Sequence, residues 1–168
     1  ASDVYKRQNI SVLWNDQMVG FAIGCSFTFE HAMLRAGFPM FHVANNCTVP
    51  MFKTSIETVE VGPFGGPMVV SMRAIAANRL DEVITISAKF PLAHGSPVHW
   101  GDPSAIGIDD LSKPDWGDPT PLRDDEVAVF WACGVTPQVA IMLRYLYASH
   151  INRARCSLLI SAILPKTL

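Results

Sequence analysis

One segment constrains the fold more than any other. From Val127 to Cys133 every residue is apolar, and Gly134, Thr136 and Pro137 follow at once. A strand with one wet face alternates polar and apolar positions, so an unbroken run predicts a strand covered on both faces, central in its sheet. Gly134 ends it, Thr136 is a candidate N-cap, and Pro137 suits the first helical position, so a helix is expected over Gln138–Tyr147. Buried strand, tight turn and helix together point to α/β architecture. In open α/β sheets ligands settle beyond the carboxyl ends of strands, where a helix N-terminus favours anions. Cys133, Gly134, Thr136 and Gln138 are therefore candidate ligand-binding residues, against the plainer reading of an ordinary capped turn.

A second turn has the same grammar. Gly24-Cys25-Ser26 follows the short apolar run Met18–Ile23 and precedes an amphipathic stretch, Ser26–Ala36, closed by Gly37. Ser26 is read as a helix cap or a binding hydroxyl, and Glu30 as a general base or a partner of the cap. Phe38–Val43 is expected to be the next strand. Further on, Val59–Val61 is a strand candidate, Gly62–Pro67 a dense turn, Met68–Ile75 a strand and Ala76–Phe90 a helix. The expected fold is thus a three-layer α/β sandwich with a smaller inserted α+β plait-like domain. Residues 10–47 and 95–150 form the main α/β domain, incomplete at its N-terminus, and 48–94 the insertion. Residues 1–9 are read as a non-native or disordered leader, and 151–168 as an atypical tail.

Between Pro91 and Leu122 the character changes, with dense prolines and aspartates and little periodicity. A long irregular segment inside a compact domain is usually functional. His94 and His99 titrate near neutrality and are candidates for acid–base chemistry, with Asp102 orienting one of them. Asp118 is a candidate substrate contact, although Asp102, Asp115 and Asp118 all sit where Asx turns form. Arg73, ending a strand, suits a substrate carboxylate. Two histidines without an assured third ligand do not make a metal site, so neither metal nor cofactor is expected.

Composition narrows the partners. A formal net charge of -2 argues against nucleic-acid binding. The mean hydropathy of +0.24 raises the suspicion of a membrane protein. Yet a spanning helix needs about 20 apolar residues, and the longest runs, Val127–Val135 and Val139–Leu143, stop well short. The start shows no apolar signal segment, so a soluble cytoplasmic protein (mitochondrial in a eukaryote) is expected. The four cysteines are then expected as reduced thiols, Cys25 and Cys133 as small buried hydrophobes.

Several blocks together resemble a known family, the DUF1445 (UPF0317) hydro-lyases, which include the D-glutamate cyclase domain. They are Phe21–Glu30, Val49–Thr54, Gly62–Arg73, Phe90–Pro103, Ile106–Asp109, Pro114–Asp118 and Val129–Gln138. Phe52 departs from the usual tyrosine, and the chain departs from the family after Tyr147, which leaves His150 without a role. The resemblance implies a lyase that removes water from a small amino or carboxylic acid, with D-glutamate closing to 5-oxo-D-proline as the named activity. It also implies an N-terminally truncated member, which would expose apolar surface and associate with itself. The alternatives are a non-catalytic domain that binds small carboxylates and a hydratase for another hydroxy or amino acid.

Overall fold

The computed structural model describes residues 11, 16, 19–22, 24–62, 64–144 and 159–162. The leader and His150 lie outside the described residues. Six strands are described: β1 (Val19–Ala22), β2 (Met51–Glu57), β3 (Pro67–Ala76), β4 (His99–Trp100), β5 (Glu126–Ala132) and β6 (Leu159–Ala162). The α-helices are α1 (Phe27–Arg35), α2 (Phe41–Ala44), α3 (Leu80–Ala88) and α4 (Thr136–Arg144). Strands β2, β3, β5 and β4 form one antiparallel sheet in that order, and β1 pairs with β6 in a separate ribbon. The α/β class follows the sequence reading.

The unbroken apolar run lies inside the sheet, between β3 and β4, and Ala128–Trp131 are buried. Strand β3 comes from the 48–94 segment, yet it pairs with β5 along seven consecutive register positions, from Val70↔Ala132 to Ala76↔Glu126.

The two faces of the sheet are covered differently. On one, Val129, Trp131 and Ile75 meet Phe29 and Met33 of α1 and Val83 of α3, while Val69 and Met51 meet Val135 and Val139 near α4. On the other, Ala128, Phe130, Val70, Met72 and Phe52 are covered by Ile106, Ile108 and Leu111, which belong to no strand or α-helix. Alternation along β3 and β5 sorts the residues between the faces.

Local expectations fare unevenly. The helix expected over 26–36 is α1, the strand over Met68–Ile75 is β3, and Ala76–Phe90 divides into a 3₁₀ turn, Ala77–Arg79, followed by α3. Phe38–Val43 is not a strand. Phe38 and Met40 are buried around exposed Pro39, which imitates alternation, but Pro39 has no N–H for a ladder and the chain turns into α2. Val59–Val61 is not a strand either. Val59 and Val61 are exposed at a hairpin tip, where Val61 makes one bridge, to Phe64. Cys25 is disulfide-bonded, against the expectation of reduced thiols, while Cys47 and Cys133 are free. Sequence spacing does not report which distant segments approach each other, so that pairing was not readable. Among the described residues, no helix is long and apolar enough to cross a membrane.

Candidate active site

On the helix-covered face, four stretches remote in sequence converge around Arg73. Alternation along β3 turns Ser71, Arg73 and Ile75 to that face, beside Trp131 and Val129 of β5. Arg73 is 3 % exposed. A charge so deeply buried must be paired and hydrogen-bonded, and here every donor is used. Nε donates to Glu30 Oε1 at 2.9 Å, and Nη2 donates to the same oxygen and to Ser26 Oγ at 2.9 Å. Nη1 donates to Ser71 Oγ at 2.7 Å and leans on the Ser71 carbonyl at 3.4 Å. The guanidinium also lies 5.4 Å from the Trp131 ring and 5.5 Å from that of Phe29. With its five N–H groups committed within the protein, Arg73 supplies positive potential and rigidity rather than a free fork.

Glu30 is brought in by α1, whose buried stripe is Phe29, Glu30 and Met33. Its far side meets His42, whose Nε2 lies 3.3 Å from Oε2 and 3.2 Å from Oε1. An ionised carboxylate only accepts, so the imidazole donates. Burial pushes the Glu30 carboxyl up, but the His42 hydrogen bond and the Arg73 charge outweigh it and hold the group below its ordinary value. Ser26 occupies the N-cap position without capping, because its hydroxyl accepts from Arg73 instead.

His94 closes this corner. It follows the 3₁₀ turn Pro91–Ala93 in a left-handed conformation, φ 76°, which residues other than glycine seldom adopt. That turn presses on Gly24, where an added Cβ would lie 1.9 Å from the Leu92 carbonyl oxygen, so only glycine fits. Burial and the Arg73 charge depress the His94 pKa, and a hydrogen bond with the Gly24 backbone offsets part of this. The ring is therefore neutral at neutral pH.

The β5–α4 turn supplies the last stretch. Burial raises the Cys133 thiol pKa against the pull of the Val135 backbone N–H and Arg73, so it stays protonated. Cys133 Sγ rests 3.5 Å from Met51 Sδ. Thr136 is the first residue of α4, and its hydroxyl ties the turn to the sheet: Val69 N–H donates to it at 3.0 Å and it donates to the Val69 carbonyl at 3.1 Å. Gln138 is buried, and its Nε2 has no hydrogen-bond partner; the same holds for the buried indole Nε1 of Trp131.

The remaining candidates lie elsewhere. His99 pairs with Phe130 and so faces the opposite side of the sheet, stacked on that ring at 5.8 Å. Its Nε2 donates to the Asp102 carbonyl at 2.8 Å. The Asp102 carboxylate turns away to accept from Ser104 N and Oγ at 3.0 and 2.7 Å, capping the turn Pro103–Ile106. Asp118 is exposed and accepts from Thr48 N–H at 2.8 Å, a loop clasp. Ser26, Glu30, Arg73, His94 and the Cys133–Gln138 turn thus share a face, His99 lies on the other, and the Asp102 and Asp118 carboxylates are taken up by local and loop hydrogen bonds. Sequence reasoning missed His42, Ser71 and Trp131. Ser71 and Trp131 carried a usable signal, since alternation places Ser71 beside Arg73 on β3. His42 carried none, because its segment reads as a strand. Among the described residues, no group of three or more His, Cys, Asp or Glu is placed to hold a metal ion.

Residues 19–160 match the model of the family described as D-glutamate cyclase. A relative from Dinoroseobacter shibae named "Putative hydro-lyase" is 60% identical over 133 residues, covering 79% of this chain and 44% of its own length. A relative from Ruegeria pomeroyi is 63% identical over 128 residues, 76% of this chain and 46% of its own. One from Geobacillus kaustophilus is 53% identical over 137 residues, 82% and 52% respectively. The chain spans about half the length of these curated relatives.

Proposed function

The chain belongs to the D-glutamate cyclase family, and from that membership we propose that it supplies the proton-transfer and carboxylate-binding core of a hydro-lyase. Its substrate in this reading is D-glutamate, closed to 5-oxo-D-proline with loss of water. The α-nitrogen attacks the side-chain carboxyl carbon, a C–N bond forms and a C–O bond breaks. Two protons leave the ammonium group and depart with one carboxyl oxygen as water.

One observation carries the proposal. Glu30 and His94 share the field of a single buried cation, Arg73, yet one is held as a carboxylate and the other as a neutral imidazole. Both groups thus stand deprotonated: the carboxylate stays paired with the cation, and the neutral imidazole is available to accept a proton. His94 takes the two protons in turn from the substrate nitrogen, one before attack and one after, and hands each to the departing oxygen, which leaves as water. Arg73 stabilises the negative charge that gathers on the tetrahedral centre, and Glu30, fixed by Arg73 and His42, holds that cation in place. Gln138 Nε2–H, free and buried at the start of α4, donates to a substrate carboxylate oxygen.

The test is 5-oxoproline formation from D-glutamate by the protein and by His94→Gln. Loss of the base is expected to lower turnover by about 10²–10⁴-fold with the fold retained by circular dichroism. Unchanged turnover in the variant, or D-glutamate bound by the parent without conversion, overturns the proposal.

A further inference from the structure

Trp131 sits on the central strand β5, 0 % exposed, with Ser71 as its register partner and its ring tilted against Phe29 at 5.3 Å. Phenylalanine would keep an aromatic ring there without bringing a polar atom. The indole Nε1–H is instead buried with no acceptor, an arrangement native proteins generally avoid. Gln138 Nε2, on the first turn of α4, shares the condition. These two groups bracket the turn in which Cys133, Gly134 and Thr136 are partly open to solvent. The guanidinium of Arg73 lies 5.4 Å from the Trp131 ring, and its own donors are all taken. A ligand acceptor entering this turn therefore finds its free donors on Trp131 and Gln138, not on the arginine.

We infer that the Trp131 indole N–H is a specificity-determining donor that binds a carboxylate oxygen of the ligand, together with Gln138 Nε2–H. The choice of a carboxylate rests on the hydro-lyase reading above; the two unpaired donors do not. A ligand that carries the acceptor satisfies both groups and gains affinity that a ligand lacking it does not.

The experiment compares the parent and Trp131→Phe by thermal melting and by titration with D-glutamate and with 5-oxo-D-proline. The variant loses an unpaired buried donor but leaves space in a packed core, so its melting temperature without ligand is expected to fall modestly. Its Kd for either ligand is expected to rise about 10- to 100-fold, the range for a hydrogen bond to a charged group. A purely structural tryptophan would leave Kd unchanged in a folded variant, and that result overturns the inference. Should Trp131→Phe fail to fold, the indole Nε1–H resonance of Trp131 in the ¹⁵N-labelled parent decides: it shifts at saturating ligand if the bond forms, and an unmoved resonance overturns the assignment. If the parent binds neither compound, the carboxylate reading itself falls. If it binds and the variant binds equally well, only the Trp131 assignment falls.

Discussion

Met72 and Arg73 are neighbours on β3, yet the alternation of one strand delivers them to surroundings with different chemistry. Met72 joins Val70, Phe130, Ile106 and Ile108, an apolar layer with polar groups kept at its rim. Arg73 joins Ser26, Glu30 and Ser71 in a buried ionic network whose donors are satisfied inside the protein. Two carboxylates outside that network, Asp102 and Asp118, are exposed and accept from the backbone N–H groups of Ser104 and Thr48. The lesson is about density. His99 and several aspartates close in sequence look like a site, but the exposed carboxylates hold loops in shape. A single arginine that must be buried organises residues from four distant stretches.

The largest effect that would sharpen this contrast is on stability. Glu30→Ala strands the Arg73 charge without its carboxylate, and removing one partner of a buried pair costs about 3–5 kcal/mol. Chemical denaturation of parent and variant measures it; a loss no greater than that of a surface substitution would mean the network is not the organising feature of that face.

Acid should then act on His94 and Glu30 in turn. The folded pKa of His94 lies below the ordinary 6.5, so between those values the unfolded chain binds a proton that the fold refuses. Stability therefore falls as pH drops from about 6.5 towards the folded value. Glu30 acts in the same direction but lower down, its contribution present above 4.5 and lost as pH falls through its depressed folded pKa. The stability curve is expected to bend twice on the acid side, with His94→Gln removing the upper bend alone. A single bend in the parent, or two in the variant, would contradict the placement of His94 in the Arg73 field.

The smallest changes belong to the other face. His99→Gln and Asp102→Asn disturb a stacked ring and a turn cap. Turnover of D-glutamate is expected to stay near the parental value in both, with a modest drop in melting temperature for Asp102→Asn. Collapse of activity in either variant would join the two faces into one site and break the comparison.

Much of the fold was legible because its signals are local. The apolar run of β5, the β-rich stretch of β3 and the 3.6-residue period of α1 each report burial on a particular face of a particular element. Ser26, Glu30, Arg73, His94 and Gln138 were recognisable as polar residues set at turns or within apolar stretches. The failures have local causes too. Buried Phe38 and Met40 around Pro39 copy a strand's alternation, and the exposed valines at 59 and 61 copy its composition. His42 was lost with that misassigned strand.

By itself, then, the sequence determined the class of the fold, the central strand, the main helices and a set of polar residues too exceptional to ignore. Only the tertiary structure decided which of them work together. It set Ser71 and Trp131 beside Arg73, joined His42 to Glu30, and put His99 on the far side of the sheet. The physical reason is the two-residue period of a strand. Periodicity states which residues share a face of one element, but only long-range pairing and register state which faces of different elements meet.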